Sequence, residues 1–167
     1  MAAKTTALPV EAYLRMSFEG PEPDYVDGEL VERHLGSLPH SNTQKRLLRI
    51  IDACKSGRVN SYPELTLRIS ATHYGVADIA VFEGSTPEGN YPTEPPACVI
   101  EIVSEDDRYV DILKKLEEYR SWGVARIWLA DPWTRRFHVH DHSGLHEVGS
   151  LEWPEHEVVI RPADIFD

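Results

Sequence analysis

Cysteine, long apolar runs and basic charge are all scarce in this chain of 167 residues, and each scarcity excludes something. The two cysteines, Cys54 and Cys98, lie far apart in unlike surroundings, which indicates neither a disulfide framework nor a cysteine zinc site. No apolar run approaches the roughly 18 to 20 residues that a membrane span requires. The opening MAAKTTALPVEAYLRM lacks the basic start and apolar stretch of a secretory signal, so a cytoplasmic protein without a membrane partner is expected. Lys and Arg number 17 against 28 Asp and Glu, a net charge of −11. A protein that holds nucleic acid by its phosphates normally shows the reverse. A Walker loop, a Rossmann fingerprint and a Gly-x-Ser-x-Gly elbow are also missing.

What is present fits one globular domain over residues 1–167. Hydrophobic residues make up 41% and charged residues 27%, and the length suffices for a core without disulfides. Residues 9–16 read as a short helix with Pro9 in its first turn. Tyr25 to Glu32 carries a hairpin signal, with apolar pairs flanking Asp27-Gly28. Residues 40–53 predict a helix starting near Ser41 or Asn42, with Leu47, Leu48, Ile50 and Ile51 on its apolar side and Gly57 at its end. Strands are predicted over 58–70 (broken near Pro63), 76–82, 98–103 and 125–130. The loop 83–97 holds four prolines and is long for a hairpin. Residues 104–123 form the clearest helix, with Ser104, Asp106 and Asp107 as capping and first-turn residues and Gly123 as its stop. Short strands follow in FHVHDH and LHEVGSLEW. The order predicts a mixed α/β or α+β sheet flanked by a few helices.

Two carboxylates interrupt apolar strands: Asp78 in VADIAVF and Glu101 in CVIEIV. Buried ionised carboxylates are costly without partners. Strict alternation puts Asp78 on one face with Val76 and Ala80, and Glu101 with Val99 and Val103. If the strands pair across the long loop, the two acids project as neighbours and call for a cation between them. Mg²⁺ or Mn²⁺, held by one or two carboxylates plus water, suits such a pair. The plainer alternative is that one or both acids face solvent. On the helix after Val103, a stripe of Tyr109, Ile112, Leu113 and Leu116 leaves Lys114 solvated and Lys115 at the border, stacked with Asp111 and Tyr119 at i±4. From there Lys115 can snorkel toward the sheet. Its plainer alternative is a surface ion pair with Asp111.

Taken in order, VDGELVE, His40 at a helix start, GVADIAVF, VIEIVSEDDR, DILKKLEEY, GVARIWLADP and the closing ADIFD resemble the Uma-type restriction endonuclease family of the PD-(D/E)XK nuclease superfamily. The resemblance spans roughly residues 10–166. It implies a restriction-endonuclease-like αβββαβ core, with extra C-terminal strands. It also implies metal-dependent hydrolysis of DNA phosphodiesters and a homodimer. Asp78 and Glu101 then take the places of the superfamily's metal carboxylates. Val103 stands where the superfamily usually has its lysine, and the family supplies that lysine from the following helix, at Lys115. Ala77 replaces the family's usual proline. Glu29 or Glu32 would add an outer carboxylate, and His40 would touch metal-bound water or phosphate. The rival function is a catalytically silent, dimeric scaffold, and a third is hydrolysis of a smaller phosphate ester.

Other residues invite weaker readings. His138, His140 and His142 alternate along one predicted strand, as a metal site or, more plainly, as a half-exposed polar face. Cys54 and Cys98 read as small core residues. Trp128 reads as core, and Trp133 as core or rim packing or, alternatively, a contact surface or part of a dimer interface. Lys45, Arg46, Arg49, Arg135 and Arg136 form the evident basic clusters that could offset the acidity toward DNA.

Overall fold

The structure, a computed structural model, describes residues 7–54 and 58–167. Gly57, expected to close the second helix, lies outside the described residues. After a short helix α1 (Val10–Tyr13), strands β1 (Asp24–Val26) and β2 (Glu29–Val31) form a hairpin. Its turn uses Asp27 at φ 49° and Gly28 at φ 90°, the left-handed pair that suits the twist of a two-residue hairpin. A Cβ on Gly28 would stand 2.5 Å from that of Ala7, so this position excludes a side chain as well.

Helix α2 (Leu38–Asp52) leads into β3 (Val59–Ser70), β4 (His73–Glu83) and β5 (Cys98–Ile102). Helix α3 (Tyr109–Trp122) then crosses to β6 (Arg126–Asp131), which pairs parallel with β5. The run α2-β3-β4-β5-α3-β6 is the αβββαβ core that the resemblance implied. β7 (Arg136–Asp141) and β8 (Gly144–Val148) extend the sheet as an antiparallel meander. Among the described residues the sheet has eight strands, ordered β2-β1-β4-β5-β6-β7-β8 with β3 also on β4. A separate hairpin of β9 (Leu151–Trp153) and β10 (Val158–Ile160) precedes α4 (Pro162–Phe166). No helix among the described residues is long and apolar enough to cross a membrane.

The sheet is covered on both faces. Leu47 and Ile51 of α2 pack with Ile79, Val81, Ile100, Trp128 and, from the C-terminal part, Trp153 and Ile165. Leu116 and Tyr119 of α3 pack on the other face with Leu67, Ala80, Val99, Ile127 and Leu129. Burial from both sides is why β4 and β5 read as near-continuous apolar runs. A third cluster stacks Tyr13 on Tyr25 at 4.9 Å, with Tyr74 beside them.

Several boundaries differ from the sequence reading. α2 is capped by Ser37, whose hydroxyl accepts the His40 N–H, with Pro39 in the first turn. The helix therefore starts before Ser41, and His40 becomes a first-turn residue. α3 begins at Tyr109 behind Arg108. Ser104 and Asp107 instead close a turn ahead of the helix, where the Ser104 N–H donates to Asp107 Oδ2 at 2.7 Å. Tyr109 is 65% exposed, so the buried stripe of α3 runs through Leu116 and Tyr119 and does not begin at Tyr109. β3 runs through Pro63 without ending; the irregularity falls on the next residue, Glu64, at φ 49°. His142 lies in the turn after β7, so the three alternating histidines do not share a strand.

Candidate active site

β4 pairs with β1 at His73 and Tyr74 and with β5 from Ile79 to Val81. β3 holds the opposite edge over both stretches, so β1 and β5 share one edge. Between them, among the described residues, Gly75–Asp78 has no strand partner on that side. Buried backbone groups still require partners, and side chains supply them. Asp24 Oδ1 accepts the Val76 N–H at 2.7 Å, and Lys115 Nζ donates to the Val76 carbonyl at 2.8 Å.

The β3 edge is irregular at the same level. Glu64 falls between the Pro63–Ile79 and Leu65–Ala77 pairs with a left-handed backbone. Such a conformation costs about 1 kcal/mol or more in a residue with a side chain and concentrates at functional sites. It also reverses the facing of the strands. Ala77 and Ala80 both pack on the α3 side, while Ile79 and Val81 pack on the α2 side. Asp78 sits at this reversal and does not share a simple face with Val76 and Ala80. Its Oδ2 accepts the Ile102 N–H at 2.7 Å and lies 3.2 Å from His40 Nε2. Its Oδ1 accepts from Arg33 Nη2 at 2.9 Å. Gln44 Nε2 donates to the Asp78 carbonyl at 2.9 Å and to Glu64 Oε1 at 3.0 Å.

Glu101 keeps the facing expected of it, with Val99 toward α3. Continuing the Ile79–Ile100 register by one residue sets it opposite Asp78. Tyr119 OH donates to Glu101 Oε1 at 2.8 Å, and Lys115 Nζ donates to Oε2 at 3.2 Å. Asp24 Oδ2 stands 3.7 Å from the same ammonium. Both acids are buried, Asp78 at 4% and Glu101 at 8% exposure, which removes the solvent-facing alternative. They line a cleft of about 470 Å³ together with Arg33, His40, Glu64 and Lys115.

The two acids titrate in opposite directions. Burial pushes Asp78 up, but the His40 hydrogen bond and the charges of Lys115, His40 and Arg33 outweigh it and hold the carboxyl below its ordinary value. Burial pushes Glu101 up to about 7; the Asp78 charge adds to this, against Lys115, Arg33 and Tyr119. Burial would lower Lys115, yet Asp24, Glu101 and Asp78 more than offset it, so the ammonium stays charged. His40 is raised: burial opposes its charge, but the hydrogen bond and charge of Asp78 prevail. The pair thus combines a firmly ionised acid with one poised near neutrality.

Asp78, Glu101, Lys115, His40 and Tyr119 come together. Asp111 lies exposed on the cleft wall and pairs loosely with Arg108 at 3.9 Å, so the Asp111–Lys115 surface pair gives way to Lys115–Glu101. Glu32 is exposed on the cleft wall, and Glu29 is exposed in β2 outside that wall. Arg33, Asp24, Gln44 and Glu64 belong to the site without having been singled out by sequence. Gln44 carried a usable signal, being one helical turn beyond His40 on the same face. Of the basic residues, Lys45 and Arg49 are exposed, and the other three engage protein groups outside the cleft. Arg46 donates to the Ile165 and Asp167 carbonyls, Arg135 binds the Phe166 carbonyl and the Asp167 carboxylate, and Arg136 pairs with Glu147.

No group of three or more His, Cys, Asp or Glu among the described residues is arranged to hold a metal ion. The donor set nevertheless fits Mg²⁺ or Mn²⁺, which bind through one or two carboxylates and otherwise keep water. Both carboxylates are buried and line one cleft, so a cation entering it would meet Asp78 and Glu101 together.

The comparisons with known proteins agree with this architecture. The sequence matches the Uma2 family, described as putative restriction endonuclease, over residues 10–164. A solved structure of a putative nuclease belonging to DUF820 from Anabaena variabilis superposes with a TM-score of 0.82 at 20% identity, covering 93% of this chain and 96% of that one. At that identity the likeness is one of fold. No curated protein matches the sequence. Matched over nearly its whole length, the chain belongs to the Uma2 family of putative restriction endonucleases.

Proposed function

We propose that this protein hydrolyses DNA phosphodiesters with Mg²⁺ or Mn²⁺ held by Asp78 and Glu101 and with Lys115 as the catalytic lysine. The observation that carries the reading is the Lys115 ammonium, delivered from α3 to 3.2 Å from Glu101 at the place where the β4 ladder is open. A divalent cation bound there would polarise a phosphoryl oxygen and acidify a water. Lys115 stays protonated and offers fixed positive charge to the phosphoryl oxygens as negative charge builds on them. Tyr119 and His40 are positioning residues: one orients Glu101, the other Asp78. The cation also offsets part of the −11 charge, which otherwise opposes tight binding of DNA.

Cleavage of DNA, supercoiled, linear and single-stranded, with Mn²⁺ or with a chelator tests this. The reading expects cleavage with Mn²⁺ that is lost in the chelator and in Asp78→Ala. Cleavage surviving in both would overturn it. One observation favours the silent-scaffold reading: protein donors already reach all four carboxylate oxygens. That reading expects no cleavage of any form of DNA, whether the two acids stay purely structural or bind a cation without turnover.

A further inference from the structure

Arg33 leaves β2 two residues after Val31 and lies in the loop leading to Ser37. Its guanidinium forks between two carboxylates, Nη1 on Glu64 Oε2 at 2.8 Å and Nη2 on Asp78 Oδ1 at 2.9 Å. The two ends differ sharply. The Asp78 side chain is 6% exposed and that of Glu64 48%, so one bond is inside the site and the other at its mouth. The two oxygens of Asp78 differ as well. Oδ2 is filled by the Ile102 N–H and His40, whereas Oδ1 accepts, among the described residues, from Arg33. Oδ1 is therefore the oxygen with a single protein donor for a metal ion to displace, and that donor is a guanidinium. A divalent cation and a guanidinium on one oxygen repel strongly in a buried setting.

This inference rests on Asp78 and Glu101 forming a cation site. We propose that Arg33 competes with the divalent cation for Asp78 Oδ1 and, once displaced, stays anchored on Glu64 and turns its freed Nη2 to the substrate phosphate. The planar fork of arginine suits a phosphate as well as a carboxylate. Arg33 shares the cleft with Lys115, so the charge removed from Asp78 remains within it. The left-handed backbone of Glu64 and the hydrogen bond from Gln44 hold the outer anchor in place.

Two binding measurements and one kinetic measurement test the proposal. Calorimetric titration with Mn²⁺ alone should show Arg33→Ala binding at least about tenfold more tightly than wild type. The same substitution should raise KM for DNA about tenfold, moving metal and substrate affinity in opposite directions. A purely structural Arg33 would weaken both. Wild-type protein labelled with ¹⁵N-arginine covers the case in which the variant does not fold: saturating Mg²⁺ should shift the Arg33 Nε–H resonance and speed its exchange with solvent. If wild type takes up metal through Asp78 and Glu101 while Arg33→Ala binds no more tightly, or the resonance stays unchanged, the role of Arg33 is overturned and the site stands. If neither protein takes up metal, the cation site itself fails, and the inference with it.

Discussion

Along β4, the stretch Ile79–Val81 is laddered on both edges, to β3 and to β5, and its side chains enter the apolar layers under α2 and α3. Three residues upstream, Val76 and Ala77 pair with β3 on one edge, and side chains serve Val76 on the other. Both stretches are buried, yet the first is held by backbone pairing and dispersion and the second by charged hydrogen bonds. Where a sheet ladder stops inside a protein, its amides and carbonyls still need partners. The groups that satisfy them here, Asp24 and Lys115, bring charge, and that charge is balanced by Glu101, Asp78 and Arg33. The gap in pairing and the chemistry of the cleft are one feature.

The largest effect that separates the two stretches is kinetic. Replacing Lys115 by Ala should lower Mn²⁺-dependent DNA cleavage about 10²–10³-fold, as loss of a transition-state donor does. Calorimetric Mn²⁺ binding should persist. Next comes Asp78→Ala, which leaves His40 without its carboxylate, Arg33 with Glu64 alone and the buried Ile102 N–H without an acceptor; urea denaturation should report a loss of about 3–5 kcal/mol.

A smaller effect lies in pH. In metal-free protein Glu101 is raised to about 7, above the roughly 4.3 of an unfolded chain. The folded state therefore holds the extra proton between those values, and the stability this contributes is full below the window and lost as pH rises through about 7. Between pH 6 and 8 in chelator, wild type should lose about 1 kcal/mol more stability than Glu101→Gln. The smallest effect belongs to the laddered stretch. Ile79→Val should cost about 0.5–1.5 kcal/mol by the methylene it removes, with the Mn²⁺ titration unchanged from wild type.

Much of this was legible in sequence, and for physical reasons. Asp78 and Glu101 stood out because an acid in a buried strand demands a partner, and Lys115 because helical periodicity set it at the edge of the stripe. The hairpin at Asp27-Gly28 and the stop at Gly123 followed from residues that accept a left-handed backbone. The facing of Asp78 was not legible, because alternation assumes an unbroken ladder and Glu64 interrupts it. Asp24 and Arg33 were hidden for another reason: both lie outside the core strands, and their partners are 91 and 45 residues away, in Lys115 and Asp78. The partners of Arg46 and Arg135 were not legible either, because a basic run says nothing of what it binds, and here those partners lie in the C-terminal segment.

The central claim is that Asp78 and Glu101 together hold one kind of cation. The most direct measurement is a calorimetric Mn²⁺ titration of wild type, Asp78→Ala and Glu101→Ala, each first stripped with chelator. The account predicts a saturable heat in wild type that is absent from both variants; equal heats in all three proteins would contradict it.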